Sequence, residues 1–102
     1  MSKNLLAAIH LITPPERHTT EAYARDADGF RLDGGRNPKA VCWCILGAMD
    51  KCGVNEVEWA ALVHYAREEW CIFSLTDLND GEGGHARALQ AMWAVQVSGE
   101  ST

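Results

Sequence analysis

Proline and glycine punctuation constrains this chain more than any other feature of it. Thr13-Pro14-Pro15, Asn37-Pro38, Gly53 and the stretch from Gly81 to Gly84 cut the sequence into one helix-length piece, an irregular middle and a helical C-terminal half. Proline removes a backbone donor and drives the residue before it out of helical geometry, so no regular helix crosses residues 13–15. The pieces between the breaks predict an α+β, predominantly helical fold: about four helices, with one short β-hairpin between the first and the second. A chain of 102 residues suits a single compact domain over 1–102. A flexible C-terminal tail is expected from about residue 98.

Apolar spacing locates the helices. The first starts near Ser2 and ends before Thr13, with Leu5, Ile9 and Ile12 on its buried side. The second is expected from Asn37-Pro38, where Asn can cap free amides and Pro at the first helical position forfeits no bond, to Gly53. Val41, Cys44, Ile45, Ala48, Met49 and Cys52 form its stripe, and Gly47 with Ala48 admits close approach of another element. A third helix, capped by Asn55 with Glu58 three residues later, buries Trp59, Leu62, Val63, Ala66 and Trp70. The last runs from about His85 to Val97 over Ala88, Leu89, Met92 and either Trp93 or Gln96. Between Thr19 and Leu32, Tyr23 and Phe30 flank the turn composition Asp26-Ala27-Asp28-Gly29, which predicts the hairpin.

Composition excludes several classes. Nine basic against fourteen acidic residues give a net charge of −5, which leaves no basic face to displace counterions, so direct nucleic-acid binding is not expected. No apolar stretch approaches the roughly 20 residues of a membrane-spanning helix, and a cytoplasmic protein without membrane contact is expected. Cys42, Cys44, Cys52 and Cys71 make an even set, but without a secretion signal they are expected as reduced thiols.

Two kinds of site chemistry can be drawn from the residues. Cys44 as nucleophile, His85 as base and Asn79 or Asp80 orienting the imidazole would make a cysteine-dependent hydrolase or transferase. With its helix starting at Asn37, however, Cys44 lies about two turns from the amides that stabilise a thiolate, and its plainer role is a small core residue. A metal site is disfavoured by spacing: at about 100° per residue Cys42 and Cys44 point to nearly opposite sides of a helix. No metal or other cofactor is expected. Asn79-Asp80-Gly81 reads as turn chemistry, and the glycines after it lack the Lys-Ser/Thr of a phosphate-binding loop.

Partner binding draws on other residues. Trp43 is one of four tryptophans, more than a small core easily encloses, and it falls off the stripe of its expected helix, so it is the aromatic candidate for an interface. The alternative is that it packs on the hairpin. Glu68, Glu69, Asp77, Asp80 and Glu82 can offer a negative surface to a basic groove, such as that of a nucleic-acid-binding effector. A homodimer would satisfy surplus tryptophan surface equally well.

Tyr23-Ala24-Arg25-Asp26-Ala27-Asp28-Gly29, Ala40 with Cys44-Ile45-Leu46-Gly47-Ala48, and Leu78-Asn79-Asp80 ahead of Gly84-His85 and an Ala/Leu-rich helix resemble a small uncharacterised domain family of bacteria and their phages. The resemblance spans roughly Leu5 to Val95. Three residues separate Asp80 from Gly84-His85, where the family pattern has about two. The resemblance implies a small prokaryotic or phage accessory protein and no particular catalysis. The leading expectation is therefore a non-enzymatic protein-binding protein, with inhibition of a host defence complex, as anti-CRISPR proteins do, its specific form; the thiol enzyme is the alternative.

Overall fold

Helix α1, Lys3–Ile12, forms where the breaks leave room for it, and its ends are defined by side chains. Ser2 Oγ accepts the Leu5 N–H at 3.0 Å, and the same hydroxyl donates to Glu58 Oε1 at 2.9 Å, tying the start of α1 to a helix far along the chain. Leu5, Ala8, Ile9 and Ile12 are buried as one face. The computed structural model describes residues 2–100, and the helix is followed by a 3-10 turn at Pro15–Arg17.

Within the segment expected to form a hairpin, β1, Ala24–Arg25, and β2, Arg31–Leu32, pair antiparallel with Ala24 opposite Leu32, but as part of a three-stranded sheet and not as a lone hairpin. Asp26 makes its turn: Oδ1 accepts the N–H groups of Asp28 and Phe30, and Gly29 takes a φ of 85°. A third strand, β3, Cys42–Trp43, pairs with the other edge of β1, so the sheet order is β2-β1-β3. Its register sets Ala24, Leu32 and Trp43 on one face of the sheet.

That third strand corrects the expected second helix. Helix α2 is Ile45–Cys52, with Cys44 as its N-cap and Gly53 in the left-handed region as its C-cap. Asn37 does bond a nearby amide, the Lys39 N–H at 2.9 Å, but the result is a local turn and not a helix start. Val41-Cys42-Trp43 instead extends along β1, as β-branched and aromatic residues favour, with the Val41 N–H on the Arg25 carbonyl at 2.9 Å. Trp43 is only 6% exposed and its indole N–H donates to the Gly35 carbonyl at 2.9 Å, so it is not the interface tryptophan expected from a helical reading.

Helix α3, Glu56–Trp70, begins as expected, with Asn55 Oδ1 accepting the Glu58 N–H at 2.9 Å. The segment read as a loop contains helix α4, Leu75–Asp80, capped by Ser74, and α5 spans Gly84–Glu100. Asn79 and Asp80 are therefore the last residues of a helix, and among the described residues the α-helices number five where about four were expected. α5 continues through the start of the expected tail, whose final residues 101–102 lie outside the described residues. The core joins α1, α2 and α5 through Leu5, Ile9, Ile12, Ile45, Met49 and Met92, with Leu62 of α3 and Leu78 of α4 closing it. Among the described residues no helix is long and apolar enough to cross a membrane.

Candidate functional site

The end of α4 turns Asn79 inward, where it is 1% exposed, between the start of α2 and the segment that follows Pro14-Pro15. Its carboxamide uses its full hydrogen-bonding capacity there. Oδ1 accepts from His18 Nε2 at 2.7 Å and from the Ile45 N–H at 2.9 Å, while Nδ2 donates to the Thr19 carbonyl at 3.0 Å and to Asp80 Oδ1 at 2.8 Å. The first amide of α2 has no partner within its own helix, and Asn79 supplies one from 34 residues away. One side chain thus binds three segments together.

Beside it, the thiol of Cys44 caps the same helix, with Sγ accepting the Gly47 N–H at 3.3 Å. Cys44 is held there because its own N–H donates to the Tyr23 carbonyl at 3.1 Å, and because Gly47 lets the Tyr23 backbone lie directly against α2. A Cβ on Gly47 would collide with that carbonyl oxygen, which is the close approach anticipated for Gly47-Ala48. Helix N-termini favour thiolate, but burial is the larger influence here and pushes the Cys44 thiol up from its ordinary value, outweighing the amides of Gly47 and Leu46. The negative charge of Asp80 pushes in the same direction.

His18 and His85 form a pair. Their rings lie 4.6 Å apart between centroids at an angle of 35°. Each has one nitrogen committed: His18 Nε2 donates to Asn79 Oδ1, and His85 Nε2 donates to the Ile12 carbonyl at 2.6 Å, satisfying an open acceptor at the end of α1. Both acceptors fix the Nε2–H tautomer. Burial lowers the pKa of His18, opposed by its bond to Asn79, lowered further by His85 and raised by Asp80.

Asp80 completes the arrangement from the solvent side. Its Oδ1 accepts the Glu21 N–H at 3.1 Å, holding Glu21 at a φ of 61°, a left-handed backbone that a residue with a side chain seldom adopts. Cys44, Asn79 and Asp80 line a cavity of about 280 Å³ together with Glu21, Tyr23 and Arg31.

Of the four residues expected for a thiol enzyme, the structure brings Cys44, Asn79 and Asp80 to one cavity and turns His85 away, toward α1. Compared with protein-family models, curated proteins and solved structures, the chain matches none. His18 was not among the expected residues, and no local pattern marks it, because the group that gives it a role is 61 residues away. Among the described residues no three His, Cys, Asp or Glu side chains gather to hold a metal ion. Of the residues expected to face a partner, Trp43 is interior, whereas Glu68, Glu69, Asp77, Asp80 and Glu82 are exposed.

Proposed function

We propose that this chain is a non-enzymatic protein-binding accessory protein that docks through the elbow between α3 and α4. Phe73 carries the reading. It is 70% exposed on the short connection between the two helices, with Glu68 and Glu69 in the turn before it and Asp77 in the turn after it, all exposed. The elbow is built to hold it outward: Cys71 closes α3 at a φ of 57°, the Ile72 N–H returns to the Ala66 carbonyl at 3.3 Å, and Ile72 packs on the core. An aromatic anchor rimmed by carboxylates suits a basic partner. The basic groove of a nucleic-acid-binding defence effector is one partner of that chemistry, and the resemblance to bacterial and phage proteins is what favours it.

A tagged pull-down from bacterial lysate tests this reading by comparing the wild type with Phe73→Ser and with Glu68→Lys/Glu69→Lys. A stoichiometric partner should be captured by the wild type and by Cys44→Ser and lost by both elbow variants. Retention of that partner by Phe73→Ser would sink the proposal. The thiol alternative has one observation in its favour, the position of Cys44 at a helix N-terminus, and two against it: the raised thiol pKa and the commitment of both nearby imidazoles to other acceptors.

A further inference from the structure

We propose that the cleft between α3 and α5 binds a short peptide segment carrying a basic side chain, through the carboxamide of Gln96. The cleft measures about 770 Å³, within the range of small-ligand sites, and Gln96 lines it near the C-terminal end of α5. Gln96 occupies the same buried stripe as Ala88 and Met92, one and two turns further on, where an apolar side chain would be ordinary. It is 1% exposed, and neither Nε2 nor Oε1 has a hydrogen-bond partner. Asn79 is the other buried carboxamide of the core, and all of its bonds are made. A buried carboxamide without a protein partner, beside an open cleft, calls for a ligand that donates and accepts at adjacent atoms.

The N–H and C=O of one residue in an extended peptide, which point the same way, form that ligand: the carbonyl accepts from Nε2 while the N–H donates to Oε1. The amide atoms are shielded in this structure, so binding includes a change of the Gln96 χ1 or χ2 rotamer that carries the carboxamide to the cleft surface. Ala61 and Val95 supply apolar contact, and Glu58 and Glu68 place two carboxylates around them. Those charges repel a phosphate or an acidic chain and match a Lys or Arg. The inference deepens the protein-binding reading by giving the chemistry of one partner segment, and it uses neither Phe73 nor Glu69.

The test is titration of acetyl-Gly-Lys-Gly-amide into the full-length ¹⁵N-labelled chain. A saturable shift of the Gln96 side-chain NH₂ signals, together with the amides of Ala61 and Val95, is expected. Affinity should fall about tenfold or more with acetyl-Gly-Glu-Gly-amide as probe, or in Gln96→Met, which is close in shape and lacks the amide. Gln96→Met should also raise Tm, because it removes two unpaired polar atoms from the interior. Shifts confined to another surface, equal binding by Gln96→Met, or no saturable shift would overturn the inference. A fall in Tm for Gln96→Met without any peptide shift would assign the carboxamide to a buried water. Phe73→Ser should leave the peptide titration unchanged, so failure at the elbow and failure at the cleft are read separately.

Discussion

Asn79 and His18 meet at 2.7 Å, and the same Asn79 oxygen accepts the first amide of α2 at 2.9 Å. A single carboxamide therefore sets the tautomer of an imidazole and caps a helix that belongs to another part of the chain. Removing it takes a partner from four groups at once, three of them far away in sequence, while Asp80 stays solvated and keeps the Glu21 N–H. Asn79→Ala is expected to cost about 3 kcal/mol, since each buried group left unpaired costs on the order of 1 kcal/mol or more. Urea denaturation of the variant against wild type measures this, and a loss under about 1 kcal/mol would show that water replaces the carboxamide.

Stability should depend on pH through His18. Burial holds its pKa in the folded chain below the ordinary imidazole value of 6.5, so the unfolded chain binds this proton more tightly. The contribution is complete above pH 6.5 and is lost as pH falls through the lowered native value. His85 beside the ring opposes protonation, whereas Asp80 and the bond to Asn79 favour it. Unfolding free energies measured between pH 7.5 and pH 5 should decline more steeply for wild type than for His18→Gln. Parallel slopes would remove His18 from the account.

Thiol reactivity separates the two functional readings. Cys71 is exposed, while Cys44 is 5% exposed with a raised thiol pKa. A disulfide or maleimide probe on the native chain should modify Cys71 first and Cys44 last, with mass spectrometry locating the label. Faster reaction at Cys44 would instead support a catalytic thiol.

Gly47 is the contact point between the hairpin and α2. A methyl group added there collides with the Tyr23 carbonyl oxygen, whose position is already set by its bond from the Cys44 N–H. Gly47→Ala is expected to destabilise the fold by about 3 kcal/mol, since backbone atoms on both sides must separate. Thermal melting checks it. An unchanged Tm would mean that the hairpin can lift away from α2 without cost.

Much of the helical framework was legible along the chain. Ser2, Asn55 and Gly53 mark ends with local side-chain or backbone chemistry, and Leu5, Ile9, Ile12, Leu62 and Ala66 repeat at the spacing of a buried face. Such signals act over a few residues, so sequence alone carries them. The start of α2 was different. Asn37-Pro38 and an apolar stripe favour a helix locally, but pairing of Cys42 and Trp43 with β1 and burial of the indole against Gly35 keep the backbone extended until Cys44.

The candidate site depended on that same long-range choice. With the helix begun at Cys44, the thiol becomes a cap, the amide of Ile45 becomes available, and Asn79 on α4 can take it. His18 gains its role only because α4 arrives beside it. Composition, punctuation and apolar period determined a mostly helical α+β chain with α1, α3 and α5 close to their expected places. Tertiary packing decided which amides remained free and which distant side chains satisfied them, because a buried donor must find an acceptor wherever the fold brings one.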